Sequence, residues 1–229
     1  MGLRELKKQQ TRTLIADTAW RLFADRGFTG VTVAEIAREA QVAEATVFNY
    51  FPTKEDLFYS RLEAFGTRLI EAISTRMAGE SVLVAFQRYV LHAGGLLGQV
   101  EAGDSDALER LRTVNRVIAA SPALQAREQQ VLAGHTASLA ELLVAETGAP
   151  ADDLRAYAAA NALMGVHRAL VDYVRRRISA GDGHAGLAAD VRRLGARAFA
   201  LLADGLGDYA VKPPGDSGVT GLPTPPDRR

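Results

Sequence analysis

The chain has 229 residues, 48% of them hydrophobic and 24% charged, with 27 basic against 27 acidic side chains and a formal net charge of +0. That balance excludes a polycation that coats nucleic acid indiscriminately, and the lack of cysteine excludes disulfides, thiolate catalysis and Cys-ligated zinc. No apolar run approaches the roughly 18 residues needed to span a bilayer, and the N-terminus is basic rather than signal-like, so a cytoplasmic protein of one large or two small domains is expected.

The first residues are basic, with Arg4, Lys7, Lys8 and Arg12 against Glu5. They read as a phosphate-contacting arm that runs into a helix from about Lys8 to Arg26, with Ile15, Ala19, Leu22 and Phe23 on one side. Gly27 is expected to close it as a left-handed cap, with Phe28 folding back on the helix end. Thr32 then caps a short helix with Glu35 three residues on, a capping box, and Val33, Ile36, Ala37 and Ala40 form its apolar stripe. The stripe stops at Gln41-Val42-Ala43, where Val42 drops into the bend.

A second short helix, Glu44 to Phe51, points Val47 and Phe51 inward and leaves Glu44, Ala45, Thr46, Phe48, Asn49 and Tyr50 outward. A solvated face is normally filled with Lys, Glu, Arg and Gln. Small, hydroxyl, amide and aromatic groups instead suit contact with base edges and phosphates. Pro52 sets the boundary, and Thr53 caps the next helix with Asp56 at its third position. Lys54 in that first turn makes an anion site with the free backbone N–H groups.

The run Thr32, Ile36-Ala37, Val42, Thr46, Asn49-Tyr50-Phe51, Lys54, Leu57 resembles the DNA-binding signature of the TetR family of bacterial repressors, over about the first quarter of the chain. Two positions depart from the family pattern. Gln41 stands where Gly is usual in the turn, and Ala43 where a Ser caps the recognition helix; the first strains a left-handed turn and the second forgoes a hydroxyl cap. Residue types and positions assign base-edge contact to Ala45, Thr46, Phe48 and Asn49, with Glu44 toward a cytosine amino group, and phosphate contact to Thr32, Tyr50 and Lys54.

The helix from Lys54 brings Leu57, Phe58, Leu62 and Phe65 in register and makes a lever between the DNA site and the rest. Further helices are expected at Ser81 to Ala102, Asp106 to Ala120, Pro122 to Thr147, Asp152 to Ala180 and Ala185 to Gly207, separated by breaks at Gly79-Glu80, Gly103-Asp104-Ser105, Ser121-Pro122, Gly148-Ala149-Pro150 and Gly181-Asp182-Gly183. No period-two run is long enough for a strand. The fold expected is all-α: an N-terminal three-helix unit with a helix-turn-helix at 1–53, an antiparallel helical bundle for ligand binding and dimerisation at 54–210, and a disordered Pro/Gly/Ser-rich tail at 211–229.

Near the C-terminus, Leu187, Val191, Leu194, Ala198 and Leu201 form one apolar seam, and Gly195, Phe199, Leu202 and Leu206 a second line. In the TetR resemblance the last two helices pair with their copies, which implies a homodimer reading a palindromic double-stranded operator. Ala160 to Arg177, with Ser121-Pro122-Ala123-Leu124, resembles the C-terminal region of a TetR subgroup common in high-GC bacteria. Phe65, Leu69, Phe86, Tyr89, His92, Leu96, Val114, Ile118, Asn161, Met164 and His167 mix apolar and polar groups on the middle helices, as an apolar small-molecule site does. The resemblance implies an effector there that releases a repressor.

Two rival classes stand against this reading. His92, His135, His167 and His184 are scattered, with no HExxH, serine elbow, P-loop or GxGxxG, so no enzyme, cofactor or metal site is expected. A helical-bundle interaction protein without specific DNA binding accounts for the apolar seams and leaves the outward Thr46, Phe48, Asn49, Tyr50 set unexplained.

Overall fold

The computed structural model describes residues 2–92, 105–150, 152–181, 186–206 and 210–212. Among these the chain is helical throughout: α1 (Leu3–Arg26), α2 (Val33–Glu39), α3 (Glu44–Tyr50), α4 (Lys54–Ser74), α5 (Val82–His92), α6 (Ser105–Ala119), α7 (Pro122–Thr147), α8 (Leu154–Ser179), α9 (Leu187–Ala200) and α10 (Ala203–Leu206).

The caps explain most of the boundaries. The Ser121 hydroxyl accepts from the Leu124 N–H at 3.3 Å with Pro122 at the first helical position, and Gly148 ends α7 at φ 63°. Asp153 caps α8 through the Arg155 N–H at 2.9 Å. Gly27 differs from expectation. Its φ of 73° and ψ of 165° lie in a region open to glycine alone, not in the left-handed helical basin, and the chain turns sharply so that Phe28 is buried against Phe23, ring centroids 5.1 Å apart.

Three sequence expectations change. The basic arm is not an arm, because Arg4, Lys7, Lys8 and Arg12 all lie within α1. The helix expected from Ala185 to Gly207 breaks after Ala200 and resumes as the one-turn α10: Leu201 and Leu202 form a turn, and Leu201 is 85% exposed. Val211 and Lys212, expected in the tail, run beside the α4–α5 loop, with the Gly79 N–H donating to the Lys212 carbonyl at 2.7 Å and Lys212 Nζ to the Ser74 carbonyl at 2.8 Å. The other tail residues, 213–229, lie outside the described residues, as do the 93–104 stretch with Leu96 and the 182–185 part of the break after Gly181, and so do the side chains of Leu62 and Leu206.

The interior divides along α4. Its first half supplies Leu57, Phe58 and Tyr59 to a core built from Ile15, Leu22 and Phe23 of α1, Ile36 of α2 and Val47 of α3; Val117 and Ile118 of α6 and Leu124 and Val131 of α7 close it from the bundle side. Its second half supplies Leu69 and Ile73 to a core with Phe86, Leu139, Leu143, Leu163, Met164 and Phe199. The first three helices alone bury too little to stand by themselves, which is why α4, α6 and α7 complete their core. Residues just past 53 therefore pack with the N-terminal unit.

At the far end of α4, Arg76 is a buried hub. All its N–H groups are used: Nε on the Glu80 carbonyl, Nη1 on the Ile73 carbonyl and Glu146 Oε1, Nη2 on Glu146 Oε2 at 2.6 Å and the Ala210 carbonyl at 2.7 Å.

Candidate DNA-binding surface

The helix-turn-helix is assembled by local chemistry first. The Glu35 N–H donates to the Thr32 hydroxyl at 3.2 Å, while Glu35 Oε2 accepts from the Thr32 N–H at 2.8 Å and from its hydroxyl at 2.9 Å. Those hydrogen bonds, backbone first, with Arg26 beside the other oxygen at 3.0 Å, hold the Glu35 carboxyl below its ordinary range. The turn forms where the sequence places it. Gln41 takes φ 55°, and the Val42 N–H reaches back to the Ala37 carbonyl at 3.0 Å.

Ala43 occupies the N-cap of α3 and offers no side-chain oxygen. The helix is anchored instead from its inner face, by Val47 and Phe51, both at most 1% exposed. Its C-terminus is closed by Arg12 of α1, whose Nη1 donates to the Tyr50 carbonyl at 3.0 Å while the guanidinium lies 4.5 Å over the Phe51 ring. Of the outward residues, Glu44, Ala45, Phe48 and Asn49 are exposed, and Thr46 and Tyr50 are half-buried. Phe48 is 45% exposed, a large apolar ring left facing solvent on a seven-residue helix.

The residues assigned to phosphate are more committed than their types imply. The Thr32 hydroxyl proton goes to Glu35. Lys54 Nζ donates to the Phe28 carbonyl at 2.9 Å and the Val31 carbonyl at 3.0 Å and sits 4.2 Å over the Phe28 ring, so two of its three N–H bonds clamp the α1–α2 loop. Arg12 of the expected arm caps α3, and Arg4, Lys7 and Lys8 are left exposed on α1. Sequence reading missed the clamp and the cap because the partners stand 26, 23 and 38 residues away. The head is tied to the bundle at α4, where Arg127 of α7 pairs with Asp56 at 2.7 Å.

The residues predicted to line a ligand site separate into three groups. Phe65, Leu69, Phe86, Tyr89, Met164 and His167 converge in the bundle core. Val114 and Ile118 belong to the core beneath the head. His92 and Asn161 are exposed, His92 Nδ1 lying 3.2 Å from the Arg88 carbonyl and Asn161 Nδ2 donating to the Tyr157 carbonyl at 2.8 Å, which removes them from any enclosed site. A shallow cleft of about 150 Å³ opens elsewhere, between Asn115, Ile118, Ala119, Gln125, Arg175 and Ser179, and only Ile118 was expected there. The first apolar seam on α9 is likewise split: Leu187 and Val191 are buried within the protomer, whereas Leu194 and Ala198 are half-buried and Leu201 is exposed.

Residues 15–60 match the sequence family of bacterial regulatory proteins of the tetR type, and residues 94–207 match the MftR C-terminal domain family. The chain belongs to the TetR family. The first match covers the reading head and the second the bundle beyond α5, which makes the C-terminal region MftR-like. Similar proteins include the transcriptional regulator TcmR of Streptomyces glaucescens, 28% identical over 66% of this chain and 67% of that one. Another is MftR of Mycobacterium tuberculosis, named for regulating mycofactocin biosynthesis, 28% identical over 70% of this chain and 77% of that protein. In fold, the chain is similar to SmeT in its triclosan complex, at TM-score 0.55 and 18% identity, covering 95% of this chain and 100% of that one. The chain is thus a DNA-binding transcriptional regulator of a non-enzymatic family, and among its described residues no helix is long and apolar enough to cross a membrane.

Proposed function

We propose that this regulator is a homodimeric repressor that reads a palindromic operator with α3 and leaves it when an apolar small molecule occupies the bundle core between α4, α5 and α8. The observation that carries the DNA reading is the outer face of α3: Glu44, Ala45, Phe48 and Asn49 exposed, Thr46 beside them, on a helix fixed by Val47, Phe51 and the Arg12 cap. In this reading those five residues meet base edges. Tyr50 meets phosphate, joined by the third N–H of Lys54 and by Thr32 where DNA displaces its bond to Glu35.

Dimerisation is supported by the exposed apolar groups on and just past the last long helices, Leu154 at 80%, Tyr157 at 39% and Leu201 at 85%. Two reading heads one DNA turn apart, ~34 to 36 Å, then engage successive major grooves. Release is supported by the continuity of α4, which begins at the head and ends in the bundle core. A ligand that favours a splayed dimer weakens DNA binding by its differential affinity, typically ~1 to 3 kcal/mol. A head at 1–53 and a ligand and dimer region at 54–210 remain the functional division, although the head's core borrows from α4, α6 and α7.

The test is selection of bound fragments from a random duplex pool, beside a Thr46→Ala, Asn49→Ala double variant. A palindromic consensus that the double variant loses or changes supports the reading. Folded protein that enriches nothing, or that is monomeric by light scattering at micromolar concentration, sinks it.

A further inference from the structure

Two imidazoles reach into the bundle beside the lever helix. His135 of α7 packs against Gly66 of α4 so closely that a β-carbon built on Gly66 would overlap the ring. His167 of α8 stacks on Phe65 of α4, ring centroids 5.0 Å apart and planes 14° from parallel. Phe65 tilts in turn onto Tyr89 of α5 at 5.4 Å, and the Tyr89 hydroxyl is already spent on the Phe65 carbonyl at 3.3 Å. His135 Nδ1 and His167 Nε2 are both buried with no hydrogen-bond partner among the described residues. Buried polar atoms are almost always paired, and an unpaired one marks a group waiting for a partner.

We propose that the bundle core takes a neutral, mostly apolar ligand whose one essential polar group is a hydroxyl, held between His135 and His167. The inference rests on the reading of the bundle as an effector site and adds the chemistry of the effector. Burial favours the uncharged form of both rings: it is the largest cause pushing His167 down to about 4, with His135 and Arg168 adding to it, and it lowers His135 as well. The two rings lie against consecutive residues of α4, His167 on Phe65 and His135 on Gly66.

A neutral imidazole offers one donor and one acceptor, and a hydroxyl is both donor and acceptor. One hydroxyl therefore meets a nitrogen of each ring, one in the acceptor and the other in the donor tautomer. A wholly apolar ligand leaves both nitrogens unmet and stranded away from water. A carboxylate brings a charge that neutral rings do not balance, and the cations that act on this cluster, Arg68 on Tyr89 and Arg168 on His167, are exposed. Aromatic Phe65 and Tyr89 with Met164 supply the apolar walls.

The test titrates the full-length protein with 4-butylphenol, its methyl ether and 4-butylbenzoate by calorimetry, in the wild type and in His135→Leu and His167→Phe. The phenol is expected to bind at least about tenfold tighter than the ether and the benzoate, with that advantage lost in both variants while the ether binds them as before. The wild-type comparison stands without any variant, so a misfolded substitution does not blunt it. Equal binding of phenol and ether, preference for the benzoate, no binding of the phenol, or an advantage that survives both substitutions overturns the proposal. Phenol that binds as expected but leaves the affinity for the selected operator unchanged supports this inference and sinks the release step proposed above.

Discussion

The guanidinium of Arg127 stands 2.7 Å from Oδ1 of Asp56, while Oδ2 of the same carboxylate accepts the Thr53 N–H at 3.0 Å and so closes the cap of α4. One buried carboxylate thus joins the start of the lever helix to α7 of the bundle. Head and bundle meet there through a charge pair as well as through shared apolar core.

Breaking that pair is expected to loosen the head. Arg127→Ala should lower stability by about 1 to 2 kcal/mol, since Asp56 is left with its cap but without its counter-charge. In a double-mutant cycle with Asp56→Asn the coupling should exceed about 0.5 kcal/mol by urea unfolding. Additive effects would mean that the pair is incidental.

The turn and the reading helix are each one substitution short of the more stable choice. Gln41→Gly relieves a non-glycine residue at φ 55°, and Ala43→Ser supplies the absent hydroxyl cap. Each should raise stability by roughly 1 kcal/mol, additively within about 0.5 kcal/mol, in chemical denaturation. A loss of stability from Gln41→Gly would show that the turn gains more from the Gln side chain than it loses in strain.

Lys54 and Asn49 should separate stability from sequence preference. Lys54→Ala removes the clamp on the Phe28 and Val31 carbonyls and should cost roughly 1 to 2 kcal/mol of stability together with affinity for every DNA sequence. Asn49→Ala, at an exposed position, should leave the melting temperature within about 1 °C and change the preferred bases. Thermal melts beside fragment selection on both variants decide it.

Acid should act through His167. Its folded pKa, pushed down to about 4 mainly by burial, lies below the ordinary 6.5, so the folded state binds fewer protons than the unfolded one across that interval. Above pH 6.5 the ring is neutral in both states and contributes no slope; from 6.5 down to about 4 stability is lost, by roughly 3 kcal/mol in full. His167→Phe keeps a ring against Phe65 and should flatten stability against pH over that window. An unchanged profile would place the acid sensitivity on the carboxylates, such as Glu35 and Asp190, whose lowered values also lose stability as pH falls.

Arg76→Ala should be among the most damaging single changes, at about 3 to 5 kcal/mol, because Glu146 and the Ile73, Glu80 and Ala210 carbonyls lose their shared donor at once. Among the described residues, truncation after residue 209 removes the Ala210 carbonyl, the packing of Ala210 on the bundle core and the Lys212 contacts, and should cost less. Urea midpoints of the two compared with wild type provide the check.

What local chemistry controls was legible in the sequence. The capping boxes at Thr32 and Thr53, the left-handed Gln41, the α7 limits at Pro122 and Thr147, and the inward Val47 and Phe51 all depend on neighbours within about one helical turn. What the sequence did not reveal depends on distant partners. Lys54 and Arg12 carry no mark of the carbonyls that hold them, His92 and Asn161 sit on helices whose buried side is set by packing, and Leu201 follows the apolar period past the point where α9 ends. His135 was set aside as one of four scattered histidines, because only the fold sets it against Gly66, next to the Phe65 on which His167 stacks.

The hub at Arg76 bears on how α4 moves. The helix is fastened at its first turn by Thr53, Asp56 and Arg127, and just past its last turn by Arg76, Glu146 and the returning Ala210. A rod held at both ends cannot slide along its axis without breaking one fastening. Its 21 residues span about 31 Å, so pivoting about the Arg76 end by only 5° carries the other end about 3 Å sideways, which takes Arg127 of α7 along or parts its pair with Asp56. In the release step proposed above, the C-terminal segment would serve as the bearing of α4, and a short stretch of chain at the far end of the lever would set the axis about which the reading head turns.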